Sequence, residues 1–200
     1  MNILHIDSSA LGSHSVSREL TDAIATQLRR NDAAATVRYR DLDVAPPAHL
    51  SGQLLAAGQA ADPQALPPEI RAQQALGKAM LDEFLAADVV IVGAPMYNFS
   101  VPSSLKAWID RISVAGVTFR YTAEGPVGLI RDKTVIIASS RGGRHGESAM
   151  DHQEAYLRTV FSFFGIRDVR IVRAEGLNMG AAIRDAALLA ARADIAALAA

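Results

Sequence analysis

Residues 88–102 read DVVIVGAPMYNFSVP, and this stretch indicates what kind of sheet the chain builds. It opens with an apolar run of β-branched residues, Val89 to Val92, which is typical of a strand buried on both faces in the middle of a parallel sheet. The run stops near Pro95, because proline lacks the N–H that a central ladder needs and restricts the residue before it. The stretch therefore predicts a central parallel strand followed directly by an irregular loop.

The loop after this strand carries unusual side chains for a simple connection. Tyr97, Asn98 and Phe99 place two aromatic rings and an amide beyond the carboxyl end of the strand, where open α/β sheets bind their ligands. Pro102 suits the first turn of a helix, which we expect at 103–111. Two interpretations are open: a crossover whose aromatic rings pack into the core, or a ligand-binding loop.

A serine-rich loop follows the first strand of the chain. Residues 3–6 form a short apolar strand, and residues 7–17 then contain five serines before an amphipathic helix. Helix capping accounts for one or two of these serines. A helix N-terminus with several hydroxyl donors also seats a phosphate dianion. The chain has no G-x-x-x-x-G-K-[ST] and no G-x-G-x-x-G after the first strand, so the loop predicts a terminal monophosphate rather than a triphosphate or a dinucleotide.

A third polar loop follows the buried strand predicted at 133–139. Residues 140–143, Ser-Arg-Gly-Gly, place two adjacent glycines where the backbone can approach a flat ligand and present its amides. An ordinary flexible loop is the alternative. His145 follows the glycines and is either a solvated loop residue or a proton donor beside the ligand.

The remaining segments complete an alternating order of strands and helices. Residues 35–42 alternate apolar and polar side chains, as in a half-exposed edge strand, and residues 168–172 form the last strand. A proline-punctuated helical excursion spans 46–68. β-Forming residues on either side of a Gly-Pro turn predict a hairpin near 117–131, which adds nothing to the core and covers either a ligand site or a partner subunit. Further helices are expected at 70–86, 151–165 and 180–200.

This order predicts a single α/β domain over residues 1–200. Strands that alternate with helices build a parallel sheet covered on both faces. Five such strands suit the doubly wound order 2-1-3-4-5, whose ligand site lies where strands 1 and 3 diverge. The loops after strands 1, 3 and 4 are then neighbours.

Composition and charge exclude several functional classes. The formal net charge of -1 provides no general attraction to nucleic acid or to an anionic membrane. The lack of cysteine excludes disulfides, thiolate metal sites and cysteine nucleophiles, and no pair of histidines has convincing metal spacing. The amino terminus is too quickly polar for a signal peptide and no apolar run reaches the length of a membrane span, so we expect a cytoplasmic protein.

The three unusual loops together match the parts of one ligand. The serine cluster provides a phosphate seat, the aromatic turn provides stacking surfaces, and the Arg-Gly-Gly turn provides amides for a ring with several carbonyl and nitrogen acceptors. Flavin mononucleotide, FMN, has these three parts in this arrangement.

With these motifs the chain closely resembles the bacterial FMN-dependent NADH:quinone oxidoreductases and azoreductases, a flavodoxin-like family distantly similar to the NAD(P)H quinone reductases of animals. The resemblance covers nearly the whole chain and rests on four motifs in order, at residues 8–17, 94–106, 116–121 and 140–143. It implies a homodimer with one FMN per subunit near the interface. It also implies a ping-pong reaction in which NADH or NADPH reduces the flavin and a quinone or azo compound then takes the electrons.

The resemblance also implies which residues form the site. The cofactor is expected on Ser9, Ser15, Val16, Ser17, Met96, Tyr97, Asn98, Phe99, Ser140, Arg141, Gly142 and Gly143. Phe119, Tyr121 and Phe163 are candidates for an apolar wall against flat substrates, although Phe163 fits equally well in the core of its helix. His145 is the candidate proton donor. Because the flavin performs the chemistry, neither a protein nucleophile nor a metal site is expected.

Two other functions are weaker alternatives. A flavodoxin-type electron carrier would share the FMN site but usually needs a strongly acidic docking face, which a net charge of -1 does not supply. A receiver-like signalling module would need an acidic cluster after the first strand and an aspartate after the third. Those loops instead carry Asp7 among serines, and Pro95-Met96-Tyr97.

Overall fold

A five-stranded parallel sheet lies at the centre of the computed structural model, which describes residues 1–58, 60, 62–146 and 148–198. The strands of the chain are β1 (Asn2–Asp7), β2 (Thr36–Asp41), β3 (Val89–Pro95), β4 (Phe119–Thr122), β5 (Gly125–Gly128), β6 (Thr134–Ser140) and β7 (Asp168–Ala174). The sheet has the order β2-β1-β3-β6-β7, and β4 pairs with β5 in a separate hairpin. The predicted doubly wound order 2-1-3-4-5 is confirmed when the hairpin strands are left out of the count.

Helices cover both faces of this sheet. They are α1 (Val16–Asn31), α2 (Gly52–Ala57), α3 (Pro68–Ala86), α4 (Ser103–Ile112), α5 (Glu154–Phe163) and α6 (Ala181–Ala196). One core packs α3, α4 and α5 around the fully buried Trp108 and Phe84, and the other packs α1 and α6 around Leu20 and Ile24. All seven residues of β3 are buried, as the apolar run from residue 89 predicts. Among the described residues, no helix is long and apolar enough to cross a membrane.

Two helices near the carboxyl end are shorter than predicted. α5 ends at Phe163 because Gly165, at φ +98°, takes the left-handed conformation that terminates a helix. The N–H of Gly165 donates to the Ser162 carbonyl and the N–H of Ile166 donates to the Phe161 carbonyl, which satisfies two terminal carbonyls. α6 ends at Ala196, and the last two residues of its predicted span, 199–200, lie outside the described residues.

The hairpin is confirmed, but two expectations about it are wrong. Its turn lies at 123–124, and the Gly-Pro pair at 125–126 belongs to strand β5. It also contributes to the core, because Phe119 is 9% exposed and packs in the cluster around Trp108. The hairpin lies against the end of α5, where the N–H of Ile130 donates to the Phe164 carbonyl at 2.9 Å. It therefore sits at the edge of the sheet where the strands begin.

Strand β2 forms one edge of the sheet, as its alternating pattern predicts. Four of its six residues are exposed. Arg38 and Arg40 both reach Glu83 on α3, at N···O distances of 2.9 and 2.8 Å. These ion pairs fix α3 beside the edge strand.

Candidate cofactor site

The loops after β1, β3 and β6 meet at the carboxyl edge of the sheet and line a cleft of about 340 Å³. The loop after β7 and the first turn of α6 complete its walls. The residues that line it are Ser9, Leu11, His14, Ser15, Val16, Pro95, Met96, Tyr97, Ser140, Arg141, Gly142, Leu177, Asn178 and Arg184. The predicted convergence of the three unusual loops is therefore present in the fold.

The first turn of α1 has the features of an anion seat. Ser15 is the N-cap, and its Oγ accepts a hydrogen bond from the Arg18 N–H at 3.3 Å and lies 3.0 Å from Ser17 Oγ. Both serine side chains are buried. The N–H groups of Val16 and Ser17 precede the first helical hydrogen bond, which Glu19 donates to the Ser15 carbonyl. Two hydroxyls, two free amides and the positive end of the helix dipole are thus collected at one point.

A half-buried network of ion pairs and hydrogen bonds lies beneath this seat and supports it. Arg18 donates to the Ser9 carbonyl at 2.8 Å and pairs with Asp41 at 2.5 Å, and this bond lowers the pKa of Asp41 to about 2. Asp7 accepts hydrogen bonds from Thr21 at 2.8 Å and from Tyr39 at 3.0 Å. The network fixes the Ser9 carbonyl, and with it the backbone of the serine loop, before any ligand binds.

The aromatic loop after β3 is a tight two-residue turn. Tyr97 and Ser100 exchange both backbone hydrogen bonds, at 2.9 and 3.1 Å, while Asn98 and Phe99 have φ of +49° and +68°. Positive φ at both central residues defines a type I′ turn. Asparagine tolerates this conformation, but a phenylalanine there stores about 1–3 kcal/mol of strain. Strain of this kind is concentrated at binding sites, where a side chain has to be held in one direction.

The same turn connects two of the three loops. The Tyr97 hydroxyl lies 3.1 Å from Ser9 Oγ and accepts the Ala10 N–H at 3.1 Å. The Phe99 ring is 44% exposed and meets the His145 ring edge-on, with 5.7 Å between centroids. Tyr97 is therefore part of the cleft wall, and Phe99 and His145 form an aromatic pair next to it.

The Arg141 side chain points into the protein rather than into the cleft. It is 1% exposed and pairs with Asp151 at 2.6 Å and with Glu154 at 2.5 Å. Burial opposes ionisation of Glu154, but Arg173 and Arg141 outweigh it and lower the pKa of this carboxyl. The guanidinium of Arg141 is therefore committed to the network that anchors α5, and the residue meets the cleft from this anchored position.

The two glycines after Arg141 permit a close approach of neighbouring side chains. A Cβ at Gly142 would lie 2.5 Å from Asn178 Nδ2, and one at Gly143 would lie 2.6 Å from His145 Nε2. Neither position has room for a larger residue without a shift of its neighbour. Because these two residues have no Cβ, a ligand in the cleft can approach their backbone closely.

The structure does not bring three predicted wall residues to the cleft of the same chain. Phe119 stacks on Phe163 with 4.5 Å between ring centroids, and Tyr121 lies 5.5 Å from Phe119. All three belong to the hairpin and the end of α5, at the opposite edge of the sheet. Tyr121 is 73% exposed, so the cluster presents an aromatic surface to solvent.

Sequence analysis did not identify six of the residues that line the cleft: Leu11, His14, Pro95, Leu177, Asn178 and Arg184. The last three follow β7, whose carboxyl end lies beside that of β6. Two glycines of this loop, Gly176 and Gly180, have positive φ, and their spacing in the sequence was the available signal for a sharply turning loop.

The chemistry of the cleft fits FMN. Neutral hydroxyls and amides lie at one end, Met96 and Tyr97 in the middle, and a glycine backbone at the other end, which suits a phosphate, a flat ring and its polar edge in turn. Within the described residues, no cluster of His, Asp and Glu could hold a metal ion.

Comparison with known proteins identifies the family of the chain. The sequence profile of a family described as having a flavodoxin-like fold matches residues 1–199. An FMN-dependent NADH:quinone oxidoreductase of Sinorhizobium fredii is 59% identical over 184 residues, which cover 90% of this chain and 88% of that protein. The chain belongs to this flavodoxin-like family.

Two further members extend the comparison. An FMN-dependent NADH:quinone oxidoreductase of Azospirillum brasilense is 55% identical over 203 residues and covers 100% of this chain and 98% of its own length. The crystal structure of an azoreductase from Bacillus anthracis superimposes with a TM-score of 0.88 at 28% identity, over 100% of this chain and 98% of that one. The resemblance inferred from the four motifs is confirmed.

Proposed function

We propose that this protein is an FMN-dependent oxidoreductase that takes electrons from NADH and reduces quinones to hydroquinones, with aromatic azo compounds as a second substrate class. The observation that carries the proposal is the convergence of a serine anion seat, an aromatic turn and a glycine loop on one cleft. The names of the similar proteins, which include quinone oxidoreductases and azoreductases, support the same activity. NADPH is an alternative electron donor.

Each part of the cleft has one task in this reaction. Ser15, Val16 and Ser17 would hold the phosphate, Met96 and Tyr97 would flank the ribityl chain and the ring, and Gly142 and its neighbours would meet the polar edge of the ring. When bound, FMN supplies the capacity to accept a hydride and to return two electrons. The protein binds, orients and shields this group, and no side chain acts as a nucleophile.

His145 is the proposed proton donor for the reduced substrate. Its ring lies against Phe99 beside the aromatic turn, and its backbone N–H donates to Glu175 at 3.2 Å. These two contacts fix the position of His145 beside the aromatic turn. An imidazole that is placed beside a substrate can act as a general acid, which suits this role.

We propose further that the active form is a homodimer. Phe119, Tyr121 and Phe163 cannot cover the cleft of their own chain, because the hairpin and the cleft lie at opposite edges of the sheet. A second copy related by a twofold axis can bring its hairpin to the first cleft while receiving the same contact in return. The exposed Tyr121 ring then becomes part of a wall against flat substrates. Dependence on NADH supports a cytoplasmic location.

An anaerobic absorbance spectrum between about 300 and 600 nm tests the proposed activity. The flavin band of the purified protein is expected to bleach with a small excess of NADH and to recover with benzoquinone. Continuous turnover with both substrates separates an enzyme from a flavodoxin-type carrier. A protein that contains no flavin, and that neither binds added FMN nor turns over with it, would contradict the proposal.

A further inference from the structure

The structure leaves one arginine beside the cleft without a carboxylate partner among the residues it describes. Arg184, in the first turn of α6, is half-buried and lines both the cleft and the open depression beside the first turn of α1. The other two arginines that line these cavities are committed elsewhere. Arg18 pairs with Asp41 at 2.5 Å, and Arg141 pairs with Asp151 at 2.6 Å.

The packing of α6 on α1 places Arg184 beside the anion seat. Near the carboxyl ends of the two helices, Asn31 donates to the Leu198 carbonyl at 3.0 Å. Arg192, further along α6, pairs with Glu19 in the first turn of α1 at 2.7 Å. The two helices therefore run side by side in the same direction. Their first turns lie at the same edge of the sheet, and Arg184 lines the same two cavities as Ser15 and Val16.

Among the described residues beneath the seat, the guanidinium of Arg18 is already paired with a carboxylate. Asp7 and Asp41 contribute two carboxylates, and Arg18 is the guanidinium that lies between them, with its N–H groups directed at Asp41 and the Ser9 carbonyl. His5 lies 3.6 Å from Asp7 and adds a positive charge only when protonated. The hydroxyls of the seat are neutral. A phosphate dianion there benefits from the helix dipole but needs a cation from above to balance its charge.

We propose that Arg184 binds the phosphate of FMN and makes this protein select FMN over riboflavin. The proposal rests on the proposed function, since it assumes that the cleft holds a flavin. A guanidinium that has no carboxylate partner among the described residues can form a charge-assisted bond to a phosphate without breaking any ion pair seen there. The ring and the ribityl chain are common to both flavins, so Arg184 affects only the part that differs.

The test compares two ligands on three proteins. Apoprotein is titrated with FMN and with riboflavin, and flavin fluorescence gives each Kd for the wild type, for R184Q and for R30Q. Arg30 is a matched control, since it is an exposed arginine in the last turn of α1, far from the seat. R184Q is expected to raise the Kd for FMN about tenfold and to leave the Kd for riboflavin unchanged. R30Q is expected to match the wild type for both ligands.

Two additional measurements exclude a merely structural effect. R184K keeps the charge but loses the planar fork, so its Kd for FMN should fall between those of the wild type and R184Q. The difference between the wild type and R184Q should also shrink as salt rises from about 0.05 to 0.5 M. An unchanged Kd for FMN in R184Q, or an equal loss for both flavins, would overturn the inference. A wild type that binds neither flavin would instead overturn the proposed function.

Discussion

At the scale of single residues, Arg18 shows how a charged side chain can serve a binding site without touching the ligand. It holds the Ser9 carbonyl and Asp41 together beneath the anion seat, at 2.8 and 2.5 Å. Because Ser9 follows β1 and Asp41 is the last residue of β2, one guanidinium fixes the relative position of the two strands at their carboxyl ends. The seat is therefore preorganised by a stability element of the fold.

The Asp41 carboxyl gives this network a measurable dependence on pH. Its pKa is lowered from 3.8 to about 2 by the Arg18 guanidinium, so its contribution to stability is fully present above about pH 4 and is lost as the pH falls toward 2. D41N should lower the free energy of unfolding at pH 7 by about 1–2 kcal/mol. Urea unfolding at a series of pH values should show the difference from the wild type closing between pH 4 and 2. D43N, at an exposed neighbour, is the control, and a difference that persists at pH 2 would contradict the assignment.

His145 provides a second prediction at this scale. If its imidazole donates the proton, H145A should lower kcat for quinone reduction by about 100-fold and change the shape of the pH profile of kcat. H49A, which removes an exposed histidine from the excursion, should leave both unchanged. Steady-state rates between pH 5 and 9 provide the measurement, and an unaltered rate and profile in H145A would assign His145 to packing against Phe99 alone.

At the scale of elements, the turn at 97–100 holds the Phe99 ring in one direction, and the strained backbone that this requires lowers the stability of the fold. Replacing Phe99, at φ +68°, with glycine removes the strain and should raise the free energy of unfolding by about 1 kcal/mol. The same F99G variant loses the ring next to His145 and should lower kcat/KM for quinones. N98G relaxes the same turn and keeps the ring, so it should retain more of the kcat/KM for quinones than F99G does. Urea unfolding and steady-state kinetics on both variants provide the measurements. An F99G variant that is less stable than the wild type would show that Phe99 does not store strain in this turn.

Local patterns predicted the elements well, and they failed where a distant contact decides the outcome. The apolar run at 89–92 is sufficient to predict a buried strand, because this prediction requires no knowledge of which residues contact the run in the fold. The Gly-Pro pair of the hairpin is a turn signal, but Pro126 occupies a strand of a two-stranded ribbon, where a missing N–H faces solvent and costs little. The inward direction of Arg141 depends on Asp151 and Glu154, which lie 10 and 13 residues away. Adjacent glycines in the sequence gave no indication of these partners.

At the scale of the whole molecule, the separation of cleft and hairpin makes the proposed dimer testable by mixing two inactive proteins. S17E places a negative charge in the anion seat, and Y121D places one in the exposed aromatic wall. In a mixed dimer, the intact cleft of the Y121D subunit meets the intact hairpin of the S17E subunit. Co-expression in equal amounts should therefore restore about a quarter of the wild-type activity, since half of the dimers are mixed and half of their sites are intact.

Differently tagged subunits, purified in two steps, provide the mixed dimers alone, for which about half of the wild-type activity is expected because one of the two sites is intact. Each variant alone should show little turnover with NADH and benzoquinone. Mixed dimers that form but remain inactive would mean that each cleft is completed within its own chain. A protein that is monomeric at assay concentration would refute the dimer itself.

The overall architecture followed from the sequence more readily than the site did. Alternation of strands and helices is repeated along the whole chain, so the parallel sheet and its order do not depend on any single residue. The cleft was predicted where its residues follow a strand directly, as at Ser9 and Tyr97. Arg184 was missed because it lies in α6 and not in a loop that directly follows a strand. Its position beside the cleft depends on how α6 packs on α1, which the sequence does not show.

The edge strand β2 has a consequence for solubility at high concentration. An unpaired edge offers free backbone donors and acceptors to any other chain that approaches in an extended form. Here the middle of that edge carries Arg38 and Arg40, both tied to Glu83. An incoming strand would have to strip water from these charges and displace part of α3, so the sheet resists growth into fibrils from this side.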